Sequence, residues 1–532
     1  MKLKKLIYAF PLAAIIIAAG TGCKKGQFNI NVNQNSPTDS SVTYDVVLPA
    51  ALHASGTIIA LQWGTIENWM GYWARSGTYA PNVIEETYQI TTGFGNGIWN
   101  NCYDNNYDYA IVISKASQAG AGFYEGIARI MKAHNFQILV DVYGDVPYSQ
   151  SLKGSGNPTP AYDNGLNIYK DLLREIDKGM DLIRDAIVTT TNTNKNIATN
   201  DIMFGGNKTL WAKFGNTLKL RMLIHAYAVA GINKPAEMLI INNNGNGFLG
   251  AGENAQVQPG YKSDKPNPFY NNYKAGTTGS QSANNVYYRA NKWGIDYYAF
   301  DGDPRRSQGR TYEAGSGGLI GVAYGLPPVT VNASPILAGI GPGIYKTNTA
   351  PQCIMSAAES FFLQSEARFR GIITSGPTAQ ALMTSGIIEN MTYLGVTNPA
   401  TAAATYIANN ASYPDVDYNG VAQGAGLPVG GLFTILQQKW FAMNGIAPFE
   451  TWTDYRRVPY TEVATKAGAS TTHFVYGEGG GYDPGPPISV APQNTSTVIP
   501  VRYHYPQSEY NYNAGNVTVV NQFTSRVFWD LN

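Results

Sequence analysis

Residues 122–148 read GFYEGIARIMKAHNFQILVDVYGDVPY. Ile127, Ile130, Met131, Ile138, Leu139 and Val142 recur at helical spacing, which predicts an amphipathic helix over about 122–142. Gly144 and Pro147 supply the punctuation expected at its C-terminus. A second helix is predicted over about 165–187. Tyr169, Leu172, Leu173, Ile176, Met180, Ile183 and Ile187 mark its apolar face, and Asp171, Arg174, Glu175, Lys178 and Asp181 its polar one. A third, about 208–230, carries Trp211, Phe214, Leu218, Met222 and His225.

Working outward, helical patterns begin near residue 45 (Leu48, Leu52, Ile59) and resume at about 356–371, 377–393 and 431–444. Between about 242 and 350 the helical period disappears into Gly, Asn, Pro and Tyr. A loop region that long reads as functional or disordered, and its aromatic content argues against disorder. The last 75 residues return to such loops, including GEGGGYDPGPP. The fold class expected is mostly α: a helical-repeat scaffold with long irregular insertions. No strict 34-residue repeat is readable, so any repeats are degenerate. Parallel-sheet patterns are absent, which argues against a Rossmann or barrel enzyme.

The N-terminus is a separate signal. Lys2, Lys4 and Lys5 precede an apolar run from Ala9 to Ala19, then Gly20, Thr21, Gly22 and Cys23. The run is shorter than the roughly 20 apolar residues of a spanning helix and reads as a secretory signal. Cys23 directly after the small residues suggests a lipoprotein signal, with an ordinary signal peptide as the alternative. Gly20 stands where a lipobox has an apolar residue. Boundaries expected are a signal at 1–22, a polar tether at 23–44 and one binding domain at 45–532.

The 532 residues carry a net charge of +1, and only 14% are charged. Long-range electrostatic capture of nucleic acid is therefore excluded as the main mechanism. Besides Cys23 there remain Cys102 and Cys353. They could pair in an oxidising compartment, or be buried small hydrophobes, the reading favoured here.

The quoted stretch at 132–148 resembles the SusD/RagB family of outer-membrane nutrient-binding lipoproteins, in its SusD-like branch. DNGLNIYKDLLREID (163–177), GGNKTLWAKFGNTLKLRM (205–222), SAAESFFLQSEARFRG (356–371), ILQQKWFAMNGIAPFETWTDYRR (435–457) and IPVRYHYPQSEYNYN (499–513) resemble successive family blocks, in family order. The resemblance implies four tetratricopeptide-like helical pairs with the remaining loops forming a ligand face. It further implies a lipid-anchored outer-membrane protein that captures oligosaccharides, or in some members peptides. Such a protein has no catalytic activity or cofactor and delivers its ligand to a TonB-dependent transporter of the SusC type. The block residues themselves read as scaffold: Glu359 and Glu366, seven apart on one helix face, as ion-pair partners, and Arg456 and Arg457 as packing anchors.

Sugar rings present C–H faces rimmed with hydroxyls, so a binder uses flat aromatic rings with amides, hydroxyls or charges beside them. Two segments offer that mix, 63–103 and 261–324. From them the candidate ligand residues are Trp73, Tyr79, Tyr88, Tyr287, Arg289, Asn291, Trp293, Tyr297 and Tyr324. Competing chemistry is thin. The five histidines lack metal-ligand spacing, no GxSxG elbow or P-loop occurs, and DGDPRR at 301–306 lacks the oxygen pattern of a calcium loop. A surface glycoside hydrolase stays open as the alternative from another class, because the separation of two carboxylates is invisible in sequence.

Overall fold

A computed structural model describes residues 42–300, 302–413, 415–419, 431–459 and 488–532. Cys23, the signal, most of the tether and the GEGGGYDPGPP loop lie outside the described residues.

The scaffold helices are α1 (Tyr44–Leu61), α2 (Asn96–Ala119), α3 (Gly122–Tyr143), α4 (Gly165–Asp185), α5 (Lys208–His225), α6 (Ala357–Phe369), α7 (Ala379–Leu394), α8 (Pro399–Asn409), α9 (Leu432–Met443) and α10 (Pro448–Arg457). They pack mainly with their chain neighbours: α2 on α3, α3 on α4, α4 on α5, α6 on α7, α9 on α10. This is the mostly helical, tetratricopeptide-like arrangement that the pattern of 20-residue helices and short turns predicts.

The turns follow from local chemistry. Gly120, at φ 68°, ends α2 and lets α3 start two residues later. Between α3 and α4 the backbones themselves touch. A Cβ on Gly126 would lie 2.5 Å from the Gly179 carbonyl oxygen, and one on Gly179 would lie 2.7 Å from that of Gly126. Two glycines facing each other allow a crossing that no larger residue permits.

The structure corrects several boundaries. Helix α4 stops at Asp185, because Lys208 Nζ takes the Arg184 and Ala186 carbonyls at 2.9 and 2.6 Å; Ile187 is 72% exposed rather than on the core face. Helix α5 stops at His225 and turns through Tyr227–Gly231, where Gly231 sits at φ 100°. The 242–350 region is not structureless. It holds short helices at Pro268–Tyr273, Ala283–Tyr287, Lys292–Phe300 and Pro304–Ser307. All four begin on a side-chain cap: Asn267 accepts from Tyr270 N, Ser282 from Asn285 N, Asn291 from Trp293 N, and Asp303 from Arg305 N. Such one- and two-turn helices are too short for a 3.6-residue period to register.

One large core runs from Leu48 to Trp529, with a smaller one around Phe362, Met383, Ile387, Met391 and Ile435. Cys102 and Cys353 are both buried and free.

Candidate functional site

The two aromatic segments singled out by sequence are joined directly. Strand β1 (Trp73–Arg75) pairs antiparallel with β2 (Tyr288–Ala290), in the register Trp73↔Ala290, Ala74↔Arg289, Arg75↔Tyr288. The pairing continues through Ser76 N to Tyr287 O at 2.8 Å and Asn291 N to Tyr72 O at 3.0 Å.

Immediately beyond β1 the chain turns outward, and buried Arg75 fixes that turn. Its Nε meets Glu86 Oε1 at 2.5 Å, Nη1 donates to Tyr79 O at 2.7 Å, and Nη2 to Leu326 O at 2.9 Å. Tyr79 and Tyr287 are thereby set edge to face, ring centroids 5.2 Å apart at 60°. Both rings are half-buried. Tyr287 packs in turn on Tyr288 at 4.8 Å. Burial, then the carboxylates of Glu85 and Glu86, raise the Tyr287 hydroxyl well above the usual phenol range, so it stays a neutral hydrogen-bonding group. Exposed Asn82 puts an amide beside the Tyr287 hydroxyl, and the Tyr79 hydroxyl reaches the Ala283 carbonyl at 3.4 Å.

Trp293 is half-buried elsewhere on the same segment. Its ring stacks on Tyr297 at 5.6 Å and meets Trp440 edge-on at 5.1 Å. Its Nε1 is buried without a hydrogen-bond partner among the described residues.

The other six candidates lie in the core, where a ligand cannot reach them in this conformation. Trp73 donates from Nε1 to Asn444 Oδ1, and Tyr88 accepts from Ser489 N. Tyr324 donates to Glu85 Oε1 at 3.2 Å, and Tyr297 is sandwiched against Phe441 at 5.2 Å. Arg289 spends its donors on Asn285 O, Ser334 O and Ser334 Oγ. Asn291 caps the helix Lys292–Phe300 through Trp293 N. Arg289 and Asn291 are drawn in by those hydrogen bonds; for the four aromatic ones the physical reason is common. Where short helices and loops supply few aliphatic side chains, aromatic rings fill the volume themselves. Asn82, beside the Tyr287 hydroxyl, was not singled out in the sequence; three residues before Glu85, it carries only the ordinary signal of a helix N-cap.

The family-block residues form a second polar constellation, sealed inside the scaffold. Arg221 Nη2 meets Glu359 Oε1 at 2.5 Å. His225 lies between Asp141 Oδ2 at 3.0 Å and Glu450 Oε2 at 2.9 Å. Arg457 binds Glu366 and Asp454, each at 2.6 Å, and Lys439 binds Asp454 at 3.0 Å. The carboxylates lower the charge-state penalty of burial on the cations, and the His225 imidazole is raised despite its burial. Arg221, Lys439, Arg457 and their partners hold Glu366 and Glu450 well below the usual carboxylate range. All five of these carboxylates are fully buried, so they hold helices together and present nothing to a polysaccharide. This matches the scaffold role expected for Glu359, Glu366, Arg456 and Arg457.

Comparison with known proteins places this architecture. A family profile described as "Starch-binding associating with outer membrane", SusD-like, matches residues 50–476. The chain belongs to the SusD-like family. A SusD/RagB family protein from Bacteroides thetaiotaomicron shares its fold at a TM-score of 0.68 and 18% identity, over 92% of this chain and 99% of that one. A SusD homolog from Bacteroides fragilis matches at 0.66 and 19%, with the same coverage. A chitin-binding SusD homolog from Flavobacterium johnsoniae matches at 0.66 and 20%, over 91% and 99%. No curated protein matches. In this SusD-like chain the buried ion network and the outward tyrosines are separate assemblies, one holding the scaffold and the other facing solvent.

Proposed function

We propose that this SusD-like protein binds oligosaccharide or polysaccharide at the outer membrane without turning it over. It then hands the glycan to a SusC-like TonB-dependent transporter. The observation that carries the reading is the Tyr79–Tyr287 ring pair, half-exposed at the β1–β2 junction with Asn82 alongside. Ring faces and edges suit the C–H surfaces of sugars, and neutral amides suit their hydroxyls. The family description and the chitin-binding relative support a glycan ligand. Full burial of Asp141, Glu359, Glu366, Glu450 and Asp454 supports a binding rather than a hydrolytic role. Lipidation at Cys23 would fix the protein to the membrane, with the segment after it as tether.

The test is isothermal titration of the purified protein with starch and chitin oligosaccharides, alongside an assay for newly formed reducing ends. Binding without product, weakened in Tyr79→Ala and Tyr287→Ala, is the expected result. Steady release of reducing ends overturns the non-catalytic reading. Isolation of the membrane-anchored protein from its native host, with and without a co-purifying barrel protein, tests the transporter partner.

A further inference from the structure

Tyr270 and Tyr345 form a second ring pair in the central region, edge to face with centroids 6.1 Å apart at 75°. Both rings are half-buried. Lys274 Nζ lies 4.4 Å from the Tyr345 ring centroid and donates to Glu313 Oε2 at 2.8 Å. The Tyr345 hydroxyl donates to the same oxygen at 3.2 Å. The Glu313 side chain is 49% exposed, so a carboxylate and an ammonium stand side by side at the surface next to two rings.

The backbone fixes each piece. Glu313 pairs with Gly339 in a two-residue antiparallel ladder. Tyr345 ends the one-turn helix Pro342–Tyr345, in which Gly343 N donates to Arg310 O at 2.8 Å and a Cβ on Gly343 would lie 2.7 Å from that oxygen. Tyr270 stands on the helix Pro268–Tyr273, capped by Asn267. Groups held in this way lose little freedom when a ligand arrives.

A continuous strip of surface joins this patch to Tyr79 and Tyr287. The Tyr79 hydroxyl donates to the carbonyl of exposed Ala283. Half-buried Asn284 donates to Asn272 Oδ1 at 2.9 Å. Ser282 donates from Oγ to Asn272 O at 2.7 Å and from N to Lys274 O at 3.1 Å. Beneath the strip, rings follow one another from Tyr287 to Tyr288 at 4.8 Å and to Tyr273 at 5.6 Å. Those two intervening rings separate the pairs, so one sugar ring cannot touch both.

We infer that Tyr270, Tyr345 and the Lys274–Glu313 pair form a second sugar subsite, and that the ligand is a chain long enough to lie on both ring pairs. The inference rests on the glycan-binding reading above and names the class of ligand within it. Neighbouring hydroxyls of a sugar can donate to the Glu313 carboxylate and accept from the Lys274 ammonium, both charge-assisted hydrogen bonds. The tyrosine rings take the C–H surface. Two linked contacts on one chain then raise affinity beyond either alone.

The experiment is calorimetric titration of the full-length mature protein with trisaccharides and octasaccharides of the starch and chitin series. Wild type should bind the octasaccharide of one series at least about tenfold more tightly than its trisaccharide. In Tyr270→Ala, and separately in Glu313→Gln on its exposed side chain, that ratio should fall to about twofold. Circular dichroism and melting temperature confirm that each variant is folded. A ratio that stays at its wild-type value in both folded variants overturns the second subsite and leaves glycan binding intact. So does a wild type that binds the two lengths equally. Binding of no oligosaccharide of either series by the folded wild type overturns both readings.

Discussion

Arg457 and Glu366, 91 positions apart, meet as a parallel double hydrogen bond, Nη1–Oε1 at 2.7 Å and Nη2–Oε2 at 2.6 Å. This pair ties α10 to α6 inside the scaffold. Removing one partner strands the other charge in the core, a loss of about 3–5 kcal/mol. Arg370, at 2.7 Å from Glu366, softens the outcome. Arg457→Ala should therefore lower unfolding free energy by about 3 kcal/mol in urea. The folded fraction should keep its glycan affinity, because the pair lies away from the tyrosines.

The α3–α4 crossing makes a sharper prediction. Gly126→Ala places a methyl 2.5 Å from a backbone oxygen. Backbone cannot rotate aside, so the helices must separate, at a cost of about 1–3 kcal/mol. Gly120→Ala, whose Cβ meets nothing within 4 Å, should cost only the left-handed φ, about 1 kcal/mol. Thermal unfolding of the two variants should rank them in that order.

Stability should fall on both sides of neutrality. Burial lowers the His134 imidazole to about 4, so its contribution is complete above the unfolded value near 6.5 and is lost as pH falls from there to about 4. That difference amounts to about 3 kcal/mol. Glu366 and Glu450 are held low by cations, so their contribution is present above about 4.5 and is lost as pH falls further. His225, raised by Glu450 and Asp141, works in the opposite sense: its contribution is complete below about 6.5 and is lost as pH rises through the folded value. Denaturant midpoints against pH should flatten between 6.5 and 4 in His134→Gln, and above 6.5 in His225→Gln.

At the site, Tyr79→Ala and Tyr287→Ala should each weaken glycan binding about tenfold, roughly one ring contact, with little change in melting temperature. Tyr324→Ala should do the reverse. Its ring is 2% exposed, so truncation opens a cavity and costs about 3–5 kcal/mol of stability. Paired titration and calorimetry on the three variants distinguishes ligand contact from core packing.

Much of the scaffold was legible because its helices obey one period. The expected end of α3 near 142 stands at Tyr143, with Gly144 as its cap. Helix α2 escaped because its inward positions include Asn105, Asn106 and Tyr109. Asn105 and Tyr109 satisfy themselves on Ser55 of α1, at 2.7 and 2.8 Å, a partner no local pattern reveals. The site was legible as two regions and not as residues. Trp73 and Tyr79 are six positions apart with the same chemistry, yet one is sealed and the other half-open. Pairing of β1 with a strand more than 200 residues away decides which, and single-sequence periodicity carries no trace of it.

Tyr79 and Tyr287 are both mounted through main-chain carbonyls: Arg75 Nη1 holds one and Ser76 N the other. Neither anchor consults the side chain it supports. The two positions therefore behave as sockets, in which one aromatic can be exchanged for another while the bracket behind them stays put. A lineage adapting to a new polymer could change what it grips by point substitution at the rim, leaving the ion-paired frame untouched.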